Sequence, residues 1–185
     1  MRPHLPFSAV NRTGTPQYDP TLQRHHLLPR QLLSLPCFRA MFAALGYEGI
    51  GFDDFRRNGL LLPAREEAVR RLALPLHRGP HRDYNAMVID KVGGIEGRWA
   101  QARKRCPDAA GWEALGNLAR LQGELRLGLL NEREPFRLNR RDPLMRQVDF
   151  TCLDTLAEEL WRMVQGDFEP DGIIRRPGNH GKTRN

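Results

Sequence analysis

Residues 76–88 read LHRGPHRDYNAMV, and two earlier stretches, LQRHHLLP at 22–29 and FDDFRRNGLLLP at 52–63, share its mixture of polar, basic and turn-forming residues. In residues 76–88 the histidines His77 and His81 form an H-x3-H pair broken by Gly79 and Pro80. Proline fixes its own φ and disfavours helix at the residue before it, so Pro80 separates Gly79 from a helix that it is placed to open. That helix carries His81 in its first turn, followed by Tyr84, Asn85 and Val88, with His77 left in the preceding loop. A metal shared by the two histidines would therefore bridge loop and helix. Alone, an H-x3-H pair is ambiguous, because on a helix it can equally decorate a polar face. The doublet His25-His26 is also weak alone, since neighbours on an extended segment point to opposite sides. Together the two groups gain force, because imidazole both ligates divalent transition ions and moves protons near neutral pH.

Around these stretches the pattern is mostly helical. Leu35, Phe38, Met41, Phe42 and Leu45 recur at helical spacing, with Pro36 in the first turn and Gly46 as a stop. The 52–59 segment reads as loop, and Leu60-Leu61-Leu62 as a short apolar run. Pro63 is expected to open a helix through AREEAVRRLAL that Pro75 closes. Gly93-Gly94 predicts a break. Beyond it, Trp112, Leu115, Leu118, Leu121, Leu125 and Leu129 form one apolar stripe, and Leu153, Leu156, Leu160 and Val164 another, with Thr151 as N-cap. Both stripes read as packing faces. Residues 1–17 form an irregular lead-in, 131–168 a helical extension, and 169–185 a basic flexible tail.

Composition narrows the function classes. The 185 residues suffice for one domain, or one domain with a helical extension. No apolar run approaches the roughly 18 residues of a membrane helix. The N-terminus lacks the pattern of a signal peptide, so export would need a signal-peptide-independent system. The three cysteines, Cys37, Cys106 and Cys152, contain no CxxC pair and suit a reducing compartment. Cys152 sits among apolar residues and reads as a small buried hydrophobe. A net charge of +7 and a pI near 10.0, carried mostly by arginine, favour a polyanionic partner.

The strings LQRHHLLP, FDDFRRNGLLLP and LHRGPHRDYNAMV together resemble the AHH nucleases, a branch of the His-Asn-His (ββα-metal) endonuclease superfamily. Members show a His-His doublet, a helical insertion, N-G-x-x-L-P and H-x-G-x-H-x-x-Y-N, and the four pieces occur here in that order over residues 18–130. One departure is Arg24, where the family name implies a small residue before the doublet. The resemblance implies an α+β fold, mostly helical, with two short strands and a helix forming a small ββα-metal core. It implies that His25, His77 and His81 hold one divalent ion: Mg²⁺, Mn²⁺, Ni²⁺ or Zn²⁺. His26 would be the general base, and Asn58 would tie the loop together through a hydrogen bond that holds His26 in orientation. Arg24, Arg78 and Arg82 flank the motifs as candidate phosphate contacts. Tyr84 either touches substrate or is structural. The implied activity is metal-dependent hydrolysis of nucleic acid, DNA ahead of RNA, by a bacterial toxin or effector acting in the cytoplasm and neutralised by an acidic immunity protein. The alternatives are a non-catalytic, metal-stabilised nucleic-acid-binding module and a nuclease subunit of a defence system that needs a partner.

Overall fold

The computed structural model describes residues 3–131 and, beyond them, Phe136, Leu138, Asp142 and Pro143. Two strands, β1 (Leu22–His26) and β2 (Gly59–Pro63), form an antiparallel ribbon in which Leu22 faces Pro63, Arg24 faces Leu61 and His26 faces Gly59. The short helices are α1 (Arg39–Leu45), α2 (Tyr47–Ile50), α3 (Phe55–Asn58) and α4 (Glu66–Leu72), of which α3 and α4 pack against β2. Two long helices complete the fold, α5 (Arg82–Ala102) and α6 (Pro107–Leu129). The protein is thus mostly helical α+β, as the resemblance implies.

An isolated two-stranded ribbon is marginal in water, so this one depends on packing against helices. Leu27, Leu28 and Leu62 enter one core with Met41 and Phe42 of α1, Val88, Val92 and Trp99 of α5, and Leu118, Leu121 and Leu125 of α6. At a step of roughly 100° per residue, Ala110, Ala114, Leu118, Leu121, Leu125 and Leu129 lie along one side of α6, and all are buried. Trp112 is 76% exposed and Leu115 lies at the margin, so the expected stripe begins at the alanines and not at Trp112.

Three other local expectations are corrected. Pro63 ends β2 and α4 starts three residues later; a proline's fixed φ suits the end of an extended strand as well as the start of a helix. Gly93 and Gly94 interrupt nothing, because α5 runs through them. Each costs about 1 kcal/mol relative to alanine, which burial of Val92, Ile95 and Trp99 on the same helix offsets. The FRRN segment forms α3 instead of loop, and the Asp54 carboxylate caps it by accepting from Arg56 N at 3.0 Å.

The lead-in is anchored. Leu5 N donates to Asp54 Oδ1 at 3.3 Å, Phe55 N donates to Leu5 O at 2.7 Å, and the Arg56 guanidinium donates to Pro3 O. Phe7 is buried as a result. Most of the expected helical extension, including Thr151, Cys152 and the Leu153–Val164 stripe, lies outside the described residues, as does the 169–185 tail. Among the described residues no helix is long and apolar enough to cross a membrane.

Candidate metal centre and active site

Side chains alternate along β1, so His25 projects to one face and Arg24 and His26 to the other. His25 is 3% exposed. Its ring centroid lies 4.9 Å from that of His77, 5.6 Å from that of His81 and 5.1 Å from that of Tyr84. The centroids of His77 and His81 are 4.4 Å apart. These three histidines arrive from a strand, a loop and a helix start. Gly79 adopts φ +81°, a left-handed turn that glycine takes at little cost, and carries the chain from His77 to His81. His81 occupies the N-cap position of α5, one residue before the first turn in which the sequence pattern put it.

One nitrogen from each of His25, His77 and His81 lies within 4.8 Å of the others. The hydrogen bonding decides which nitrogens are available. His81 Nδ1 is 3.2 Å from the Leu138 carbonyl, which can only accept, so Nδ1 carries the hydrogen and Nε2 keeps its lone pair. His77 Nδ1 pairs in the same way with Gln23 Oε1 at 3.1 Å. Among the described residues His25 Nε2 is the buried side-chain nitrogen or oxygen atom with no hydrogen-bond partner. A buried, unpaired nitrogen costs free energy unless something fills its place, and a divalent cation would do so. Burial, followed by the charges of His77, His81 and His26, holds the His25 imidazolium down to a pKa of about 2. Burial and then His81 and His26 lower His77 to about 4. Both rings are neutral at pH 7 and free to act as ligands. The donor set therefore fits a divalent transition-metal ion held by three imidazoles.

On the opposite face His26 is half-buried beneath Phe7. The two rings are stacked with centroids 3.8 Å apart and planes 2° from parallel. Phe55 meets Phe7 edge-on at 5.1 Å. Burial lowers the His26 pKa to about 4; Arg30 and Arg24 push the same way, and Asp53 opposes them.

Asn58 is completely buried and spans the junction after the doublet. Its Oδ1 accepts from Leu28 N at 2.7 Å, and its Nδ2 donates to Leu28 O and Phe52 O, each at 3.2 Å. Gln122 Nε2 of α6 donates to the same Oδ1 at 3.4 Å. The Asn58 carbonyl accepts from Leu27 N at 2.8 Å. The amide thus grips the backbone just after His26 and makes its bonds there, not to the imidazole. Gly59 is required beside it, because a Cβ there would meet the Phe55 ring at 2.2 Å.

Tyr84 is buried, and its hydroxyl donates to Leu27 O at 2.8 Å, which leaves it supporting the doublet from below. Arg24 is exposed, with Nη1 donating to Phe7 O at 2.7 Å. Arg78 and Arg82 are exposed, next in sequence to His77 and His81. A groove of about 1190 Å³, lined in part by Leu33, Tyr47, Phe52 and Asp53, contains none of the four histidines; Asp53 is where it adjoins the field around His26. The chemistry follows the histidines and not the size of that groove.

Sequence reasoning overlooked Phe7, Gln23, Gln122, Leu138 and Asp142, whose Oδ2 accepts from Leu76 N at 2.7 Å. Gln23 was within reach, since it shares a strand face with His25. The others come from remote segments and carry no local signal.

A profile described as "a nuclease family of the HNH/ENDO VII superfamily with conserved AHH" matches residues 7–125. Neither curated proteins nor solved structures provide a match. The matched span contains the doublet, Asn58 and both later histidines, and covers well over half of the chain. The chain belongs to the AHH nucleases of the HNH/ENDO VII superfamily.

Proposed function

We propose that this chain is a divalent-metal-dependent endonuclease that hydrolyses phosphodiester bonds, with DNA its first substrate and RNA the alternative. The observation that carries the reading is the pairing of a three-histidine set, with His25 buried and His77 and His81 half-buried, with a fourth histidine, His26, next to His25 on the opposite strand face. His25, His77 and His81 would hold the ion, which supplies charge neutralisation at the phosphate and at the leaving oxygen.

His26, neutral at pH 7, accepts the proton of the attacking water, a contribution of about 10²–10⁴ in rate. A conjugate acid near 4 makes it a weaker base than one matched to pH 7, but one that is always in the accepting form. Phe7 limits ring rotation and shields one face of the imidazole. Asn58 holds the chain at Leu27 and Leu28, so the strand delivers the two histidines to opposite sides. Arg82, and Arg78 beside it, are suited to phosphate contacts at the rim.

A bacterial toxin or effector role fits the +7 charge, which also suits an acidic immunity protein as a covering partner. The exposed thiols of Cys37 and Cys106 suit action in a reducing cytoplasm. The decisive experiment incubates purified protein with plasmid DNA and with RNA, in EDTA and in Mg²⁺, Mn²⁺, Ni²⁺ or Zn²⁺, beside His26→Ala. Cutting that needs a metal and disappears in the variant supports the proposal. Nucleic-acid binding without cutting in any metal would replace it with the binding module.

A further inference from the structure

The chain beyond α6 returns to the histidine cluster. Phe136 N donates to Gly128 O at 3.0 Å, and the Phe136 ring covers Gly128 so closely that a Cβ there would sit 2.2 Å from it. From that fold-back, the Leu138 carbonyl reaches His81 Nδ1 at 3.2 Å. Asp142, 1% exposed, places Oδ2 2.7 Å from Leu76 N. Leu76 directly precedes His77, whose own N–H donates to Pro63 O at 2.6 Å. The amide N–H groups of Leu76 and His77 are therefore both pinned, one by the returning segment and one by β2.

A carboxylate is costly to bury, and one that accepts from the main-chain N–H next to a proposed ligand has a positional effect that a solvated acid lacks. The Leu138 carbonyl in turn fixes the tautomer of His81 and the direction of its Nε2. These residues lie past position 125, where the match to the family ends.

We infer that Phe136, Leu138 and Asp142 form a clamp that belongs to this chain's metal centre, with Asp142 a positioning residue for His77 and the Leu138 carbonyl a positioning group for His81. The inference rests on the three-histidine metal site of the proposed function. Its consequence is that metal affinity depends on residues far from the doublet and outside the family's matched span.

The test is a Co²⁺ titration of the full chain, read from the visible absorption of the bound ion and independent of nuclease activity. Asp142→Ala is expected to bind Co²⁺ about tenfold or more weakly, the size of effect that outer partners of metal ligands have. Asp142→Asn, which keeps an oxygen to accept from Leu76 N, recovers most of that affinity. Gly128→Ala favours the helix locally yet displaces Phe136, so it should also weaken Co²⁺ binding, and it decides the matter if Asp142→Ala fails to fold. Wild-type affinity in both Asp142→Ala and Gly128→Ala, or in Gly128→Ala alone when the other does not fold, overturns the clamp. Absence of Co²⁺ binding by the wild type, or its retention in His77→Ala, instead overturns the metal site on which the clamp rests.

Discussion

His25 and His26 are neighbours on one strand, and the two faces of β1 give them different chemistries. The inner face meets His77, His81 and Tyr84, buries His25 and leaves its Nε2 without a hydrogen-bond partner. The outer face meets Phe7 and the fields of Asp53, Arg24 and Arg30, and leaves His26 half-exposed. In the proposed nuclease these identical side chains serve as ligand and base, because the strand alternates and each face has a different cover. Division of labour here is a matter of what packs on top, not of the residue itself.

The sharpest way to break this comparison is to remove one member from each side. His77→Ala should lose both metal binding and cleavage, since two remaining imidazoles make a poor site. Metal titration and plasmid nicking check it; retained metal in this variant contradicts the inner-face assignment. His26→Ala should keep its metal and lose about 10²–10⁴ in cleavage rate. If it binds metal several-fold more weakly instead, the two faces are not chemically separate.

Asn58→Ala strikes the junction that both faces share. It leaves Leu28 N without its acceptor in the core, so stability should fall by roughly 2–4 kcal/mol, visible as a lower urea midpoint with metal absent. A midpoint within error of the wild type would mean that Gln122 or water takes over the bond.

The pH response of the metal-free chain probes both faces at once. His25, His26 and His77 all have folded pKa values below the ordinary 6.5, so below 6.5 the unfolded chain binds more protons than the folded one. Their contribution is intact above that value and is lost as pH falls through it toward the folded values. The urea midpoint in EDTA should therefore be lower at pH 5.5 than at 7.5. A flat profile would show that both faces are wetter than their packing indicates.

Much of the site was legible in the chain. The doublet, Asn58 and the H-x-G-x-H string mark the family and the histidines that cluster, by residue type and order, and the 3.6-residue recurrence marks α1 and α6. Glycine and proline are weaker guides. Gly93-Gly94 and Pro63 are permissive signals whose outcome depends on burial of their neighbours, and the continuous α5 and the strand ending at Pro63 follow from that burial. Trp112 misled for the same reason: hydrophobicity marks an apolar residue but not the side from which the partner helix arrives.

What the sequence by itself determined is the donor chemistry: four imidazoles, a buried-capable amide and a basic chain, because residue identity sets ligand type, proton affinity and charge. Only the tertiary structure decided which imidazole is dry, which nitrogen of His77 and His81 keeps its lone pair, and that Phe7, Gln122, Leu138 and Asp142 attend the site. Those outcomes depend on contacts between segments from about 17 to more than 60 residues apart (Phe7 O with Arg24, Gln122 with Asn58, Asp142 with Leu76), which no local pattern encodes. Desolvation and hydrogen-bond direction arise only when those segments meet.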